Sequence, residues 1–468
     1  MTVSYADFVA RKLTRVPPTG LQNAGAIRLP AGLFDFQAAL TTWALRRGRA
    51  AIFADTGLGK SRMQLAWADA VHRETGHDIL ILAPLAVAAQ TVAEGAEIGV
   101  ALTHCRDGED VRPGLNITNY DRIHRFDCSR FGAVVLDESS IIKHHTSKTL
   151  AMLLEAFAQT PFKLCATATP APNDWTELGT HAEFLGVCTQ AEMLAEYFVH
   201  DGGDTQTWRL KGHARTEFWR WVASWAALVR KPEDLGFDGS RYNLPPLRVH
   251  QHIAKSTGHD PAETGMLFAL EASTLSERRD ARRNSLDGRV AACAAKVNAD
   301  QQPWIVWCDL NAEGDALRAA IHDAVEIRGS DDPDVKEQRL MDFAAGRIRV
   351  LVTKPSIAGF GLNWQHSARM AFVGVTDSWE AYYQAVRRAW RFGQEREVEV
   401  HIFTSDLEGA VVANLQRKER DALAMADALS AETRDAVMEE VTGSIRNTNP
   451  YQPQRQVECP PWLQSEAA

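Results

Sequence analysis

Between residues 33 and 185, short strand-like apolar runs alternate with longer stretches in which apolar residues recur every three or four positions. The runs fall at 50–53, 79–83, 115–118, 133–136 and 163–166. A continuous apolar run is what a strand covered on both faces requires, so the pattern predicts a parallel sheet with helical crossovers. The rhythm breaks over 187–245, which is rich in aromatics (Trp208, Phe218, Trp219, Trp221, Trp225) and reads as mostly helical and outside the sheet. Tryptophans at helical spacing are usually buried, so these are expected to pack inside a protrusion rather than to stack on bases. After an Arg-studded helical stretch at 261–298 the rhythm returns, with runs at 304–308, 325–328, 349–353, 370–375 and 398–403.

These breaks organise the chain as a lead-in (1–30), a first α/β lobe (31–186) and a helical protrusion with linker (187–246). The linker closes at Leu244-Pro245-Pro246-Leu247. A helical segment (247–300), a second α/β lobe (301–405) and C-terminal helices (406–446) follow. The Pro-containing tail at 447–468 is expected to be disordered. At 468 residues the chain is too long for one ordinary core.

Three stretches of this first lobe carry chemistry. Residues 50–61, A-A-I-F-A-D-T-G-L-G-K-S, run from an apolar strand through a Gly-rich turn into a helical pattern, which is the context of a phosphate-binding P-loop. Gly57 and Gly59 let backbone N–H groups of the loop (Thr56, Leu58) turn toward phosphate oxygens at a helix N-terminus. Lys60 would neutralise the β- and γ-phosphates and Ser61 would ligate Mg²⁺. The loop begins with Ala54 where the pattern has Gly. Downstream, the apolar strand 133–136 ends in Asp137-Glu138, a Walker-B arrangement in which Asp137 holds Mg²⁺ through water and Glu138 polarises the attacking water. Thr167-Ala168-Thr169-Pro170 places hydroxyls at the end of a third strand.

The second lobe offers Q-A-V-R-R-A-W-R-F-G-Q at 384–394. On a helix, Gln384, Arg388 and Arg391 share a face, and two guanidiniums suit the spread negative charge of a phosphoryl-transfer transition state.

Taken in order, these stretches resemble helicase superfamily two, and within it the Swi/Snf-like DNA translocases, across about 33–404. L-F-D-F-Q-A-A-L-T-T-W (33–43) is similar to the adenine-reading segment, which puts Gln37 on the base. A-P-L-A-V-A-A-Q (83–90) and I-T-N-Y-D (117–121) resemble motifs Ia and Ib, implying backbone contacts to nucleic acid from Pro84, Thr118 and Asn119. D-E-S-S-I-I-K-H-H-T-S-K (137–148) resembles motif II with its I-K…S-K extension, although Ser139 and Ser140 stand where the family has Ala-His. T-A-T-P-A-P-N-D (167–174) resembles motif III. T-K-P-S-I-A-G-F-G-L-N-W (353–364) resembles motif V, with Lys354, Gly359 and Asn363 toward DNA and Gly361 toward the nucleotide. Asp377, Trp379 and 384–394 resemble motif VI, with Trp379 toward DNA. Arg387 replaces the usual Gly there, and Trp390 the usual His. The resemblance implies an α/β fold of two RecA-like parallel-sheet lobes with helical insertions and a C-terminal helical segment. It implies ATP and Mg²⁺ in the cleft, and DNA, duplex favoured, across both lobes.

Composition narrows the setting. Hydrophobic content of 45% and charged content of 24% are those of a soluble globular protein. No apolar run approaches the ~20 residues of a membrane span, and the first residues carry no signal-like apolar core, so a cytoplasmic monomer is expected. The seven cysteines are scattered and never spaced C-x-x-C, so reduced thiols and no zinc site are expected. A net charge of −9 argues against an indiscriminate polyanion binder but leaves room for a local basic cleft. An additional protein partner is compatible with so compact a motor, and nothing in the sequence identifies it.

Lys60→Ala and Glu138→Gln are expected to abolish ATP turnover in a phosphate-release assay. Arg391→Ala is expected to lower kcat far more than ATP affinity, because its contact forms mainly in the transition state. Normal turnover in Arg391→Ala would remove it from the catalytic set.

Overall fold

The computed structural model describes residues 16–84, 87–171, 174–201, 204–254, 284–358, 362–374 and 378–405, with 417, 420, 430, 433–435 and 437–442. Five strands form where the first five apolar runs lie: β1 (Arg49–Ala54), β2 (Asp78–Ala83), β4 (Leu115–Asn119), β5 (Phe131–Asp137) and β6 (Phe162–Thr167), with a short β3 (Leu102–His104) between β2 and β4. With β9 (Ala226–Val229) they make a seven-stranded sheet in the order β3-β4-β2-β5-β6-β1-β9, parallel throughout. Successive side chains enter different cores: Val135 joins the cluster of Ile52, Ile81 and Trp67, while Val134 joins that of Phe53, Leu82 and Trp225. Burial on both faces is the reason β1, β2 and β5 read as unbroken apolar runs. Helices α1 (Asp35–Arg47) and α2 (Lys60–Thr75) pack against each other, and Trp43 and Trp67 of these two helices share the first cluster.

Residues 187–245 depart from expectation. They contain the antiparallel ribbon β7 (Phe198–Asp201) and β8 (Asp204–Leu210) and the helix Arg215–Ala223, but also β9, which pairs with β1 from Ala51↔Ala226 to Ala54↔Val229. The segment expected outside the sheet thus supplies its edge beside the P-loop strand. A four-residue apolar run among closely spaced tryptophans cannot be told from buried helix by periodicity, and a non-local strand partner decided it. Trp219 and Trp225 are buried in the first lobe, as packing residues should be.

The second lobe holds β10 (Leu247–Ala254), β11 (Trp304–Cys308), β12 (Ala324–Glu326), β13 (Val350–Thr353), β14 (Arg369–Val373) and β15 (Val398–Ser405). Their order is β10-β15-β14-β11-β13-β12, again all parallel. β10 corrects the reading of 247–300 as helical. It is an edge strand with much of its length open to solvent, Val249 and Ile253 included, so it lacks the dense apolar run that marks an inner strand. The helix Leu286–Asn298 closes the described part of that segment.

The expected C-terminal helices fall mostly outside the described residues, as do the lead-in up to residue 15 and the tail. Those that are described return to the first lobe. Val437 and Val441 enter its core, Arg434 meets Asp234 at 3.1 Å and Glu440 pairs with Arg47. No described helix is long and apolar enough to cross a membrane.

One fully buried ion pair ties the second lobe's helices together. Arg289 Nη1 lies 2.9 Å from Glu313 Oε1, and Glu313 Oε2 accepts the backbone N–H groups of Asp309 and Leu310 at 2.9 and 3.0 Å. Glu313→Ala would strand a buried guanidinium and is expected to cost about 3–5 kcal/mol in urea unfolding. Arg289→Met combined with Glu313→Leu is expected to recover most of that loss.

Candidate nucleotide site between the lobes

In the first sheet β6 lies between β1 and β5, so the loops after these three strands share one edge, where open α/β sheets place their ligands. The loop after β1 turns through Gly57 (φ 92°) and Gly59 (φ 77°), both in the left-handed region that favours glycine. A Cβ on Gly59 would collide with the Gln37 amide, and one on Gly57 would sit 2.9 Å from the backbone nitrogen of Phe392 in the second lobe. Lys60 opens α2, and its Nζ donates to Ala54 O at 2.9 Å across the loop. Burial pulls its pKa down while the carboxylates of Glu138, Asp55 and Asp137 oppose the shift.

Gln37 and Leu58 serve the loop. Gln37 Nε2 donates to Leu58 O at 2.9 Å and Gln37 Oε1 accepts the Phe34 N–H at 3.0 Å, while the Leu58 side chain is buried in the lobe's core. Gln37 also lines the cleft, and its two bonds to the chain leave one N–H and one carbonyl lone pair of the amide for a ligand.

Asp137 is the last residue of β5. Gln64 Nε2 donates to its Oδ1 at 2.7 Å, and the Tyr120 hydroxyl donates to its backbone carbonyl at 2.7 Å. Burial, then the neighbouring Glu138 carboxylate, push Asp137 up to about 7. A divalent cation would favour its ionised form, so this carboxylate and the Ser61 hydroxyl fit a Mg²⁺ site. Glu138 adopts φ 52°, ψ 53°, a strained backbone for a non-glycine residue, and its Oε2 accepts from Thr167 Oγ1 at 3.4 Å. Behind it, Ser139 Oγ sits 3.2 Å from Nε2 of His181, whose pKa burial pushes down to about 4. A histidine from a later helix thus contacts the serine that follows the Asp-Glu pair.

The second lobe presents the helix Trp379–Val386 and the turns after it. The helix ends at Val386, before both Arg388 and Arg391, so it does not carry them on one face with Gln384. A tether holds the two instead: Leu362 O accepts from Arg388 Nη1 at 3.2 Å and from Arg391 Nη1 at 3.4 Å. Burial, then Arg391, pull Arg388 down to about 9, and burial lowers Arg391 as well. Gln384, expected among the catalytic residues, is fully buried and does not line the cleft. Its Oε1 accepts from Arg388 Nη2 at 3.1 Å and its Nε2 donates to Thr169 Oγ1 at 3.4 Å, so it positions the guanidinium.

Together these groups enclose a cavity of about 270 Å³. Thr56, Gly57, Gly59, Lys60, Ser61, Asp137 and Glu138 line it from one side, and Asn363, Arg388 and Arg391 from the other. Phe34, Tyr242 and Phe392 form an aromatic rim, with Tyr242 and Phe392 stacked at 4.6 Å. This rim escaped the sequence reading, because its members come from three separate segments.

The residues expected at nucleic acid divide. Pro84 and Asn119 line a second cavity of about 460 Å³, with Lys143, Lys336, Ser356 and Glu138. Thr118 is fully buried in β4, so its side chain cannot meet DNA: the alternation of the strand turns it into the core. Asn363 belongs to the first cavity, and Lys354, half-buried after β13, lines neither. Gly359 and Gly361 lie outside the described residues, as does the side chain of Trp379.

The described cysteines are free and all but Cys188 are buried. Among the described residues, one trio has metal-ligand spacing, His250, Glu399 and His401, with ligand atoms within 4.8 Å of one another. Hydrogen bonds already engage it, His401 contacting His252 at 3.0 Å and Glu399 at 3.3 Å.

Residues 294–393 match the family described as the helicase conserved C-terminal domain. The matched residues fall on the second lobe and cover about a fifth of the chain. The match runs through Arg391 and includes both guanidiniums of the cleft. No curated protein matches the chain. Among solved structures, the chain is similar to the SWI2/SNF2 ATPase core of Sulfolobus solfataricus in complex with dsDNA, at 16% identity and a TM-score of 0.40, over 88% of this chain and 97% of that one.

His181 supplies a test of the packing behind Asp137-Glu138. Its folded pKa lies below the unfolded ~6.5, so the native state binds fewer protons and its contribution is complete above that value. It is lost as pH falls toward 4, to a total of about 3 kcal/mol. Unfolding free energies of the wild type should therefore drop more steeply from pH 7 to 4 than those of His181→Gln. Parallel curves would contradict a buried, neutral His181.

Proposed function

We propose that this protein is a Swi/Snf-like motor of helicase superfamily two that hydrolyses ATP between its lobes and translocates along duplex DNA. The observation that carries the reading is convergence: Arg388 and Arg391, within the residues that match the helicase C-terminal domain, line one cavity with Lys60, Asp137 and Glu138 of a P-loop lobe.

The loop N–H groups and Lys60 bind the triphosphate, which satisfies an ammonium that burial otherwise disfavours. Ser61 and Asp137 would hold a Mg²⁺ ion, which would supply charge neutralisation to the triphosphate. Water bonds to the γ-phosphorus as the bond to the β–γ bridging oxygen breaks and ADP leaves, and Glu138 takes the water's proton. Arg388 and Arg391 stabilise the charge spread over its equatorial oxygens, a contribution of up to ~10³–10⁵ in rate for such guanidiniums.

DNA lies along the second cavity, against Pro84 and Asn119 of the first lobe and Ser356 of the second. Glu138 lines both cavities, so a backbone seated in one bears on the group that activates water in the other. DNA that favours the closed arrangement raises ATP affinity by linkage, and ATP raises DNA affinity by the same factor.

Steady-state hydrolysis without nucleic acid, with single-stranded DNA, with duplex DNA and with structured RNA, each at two salt concentrations, tests this. Stimulation by duplex DNA that fades with salt is the expected result. Stimulation confined to single strands or RNA would replace translocation on duplex by strand separation. Nucleotide binding without turnover on any of them would leave a nucleotide-dependent clamp.

A further inference from the structure

Outside the nucleotide cavity, the P-loop and the arginine-bearing segment grip each other directly. Asp55, in the loop, receives the Tyr383 hydroxyl on Oδ1 at 2.8 Å and faces Arg387 Nη2 from Oδ2 at 3.1 Å. The same Nη2 donates to Thr56 O at 3.1 Å. The guanidinium lies 5.5 Å from the Tyr383 ring and 5.2 Å from the Trp390 ring, within cation–π range of both. The Arg387 and Asp55 side chains are 7% and 19% exposed, so solvent screens the pair little. Burial opposes ionisation of Asp55, but Arg387, Tyr383 and the Thr56 N–H together hold its carboxyl below the usual carboxylate range.

We propose that Asp55, Tyr383 and Arg387 form a clasp that draws the two lobes together without nucleotide and sets the register of Arg388 and Arg391. None of the three lines the nucleotide cavity, so every bond of the clasp forms between protein groups alone. Arg387 and Arg388 are adjacent in the chain, and their side chains part: one goes to Asp55, the other to the cavity. Anchoring the first fixes the backbone of the second. Phe392 completes the grip, because its backbone approaches Gly57 too closely for any side chain there. Lys143–Glu380 and Gln384–Thr169 cross the cleft elsewhere, so the clasp is one of several bridges, but it joins the P-loop itself to the finger segment. The three are positioning residues. Their catalytic consequence rests on the ATPase reading, whereas the closure they impose does not.

Small-angle scattering of the full chain without nucleotide tests the closure. The wild type should be compact, and Arg387→Met, which keeps the apolar stem on its aromatic neighbours, should shift to a larger radius of gyration. Asp55→Asn, which leaves an acceptor for Tyr383, should do the same, and the double variant should expand little further than either single. Near-ultraviolet circular dichroism like that of the wild type identifies expansion as lobe opening. In turnover, Arg387→Met should lose about tenfold to a hundredfold in kcat, the scale of a misplaced catalytic group, with a smaller change in KM for ATP. Scattering of Arg387→Met and Asp55→Asn indistinguishable from wild type overturns the clasp, whatever the enzyme's activity. Expansion in both variants of a chain that hydrolyses no ATP upholds the clasp and sinks the ATPase reading.

Discussion

Five ionisable side chains, three of them buried and two half-buried, meet around one small cavity and set the terms for the rest of this molecule. Lys60, Asp137, Glu138, Arg388 and Arg391 are brought together from two lobes into a place where water can do little for their charges. The strain shows in opposite directions, Asp137 pushed up to about 7 and Arg388 pulled down to about 9. Burying ions without full pairing is costly, and a site that carries such a cost is poised for a charged ligand to relieve it. A triphosphate with its cation has the complementary charges, negative oxygens for three cations and a metal for two carboxylates.

Holding those charges in place falls largely to neutral side chains. Gln37 grips the P-loop, Gln64 orients Asp137, Tyr120 secures its carbonyl, and Gln384 braces Arg388. An amide or a phenol can be buried more cheaply than an ion and still satisfy a partner, so it suits the supporting layer. Two of these four, Gln37 and Gln384, stood out in the sequence as ligands or catalysts. In the structure both hold other parts of the protein: Gln384 is buried away from the cavity, while Gln37 still lines it.

The parallel sheets supply the geometry. With β6 between β1 and β5, the P-loop, the Asp-Glu pair and the Thr167–Thr169 hydroxyls meet at one edge, and the second sheet brings its finger segment to the same place. The strained backbone of Glu138 lies where the two cavities adjoin, which is where coupling between two ligands would have to act.

Much of this was legible in the residues. Mostly apolar runs of strand length marked ten of the strand positions, and the order of strand, Gly-rich turn and helix marked the loop after β1. Lys60, Asp137, Glu138, Arg388 and Arg391 could be picked out by residue type beside a strand end or on a cationic segment, and the structure brings all five to one cavity. Only the tertiary structure placed β9 in the first sheet and β10 in the second, since edge strands have weak patterns and distant partners. It also moved Thr118 into the core, assigned Asn363 to the nucleotide cavity, and joined Arg387 to Asp55. Spacing along a chain constrains which face of an element a side chain shares with its neighbours. Which distant group that face meets depends on how the two lobes close, and no local pattern encodes that contact.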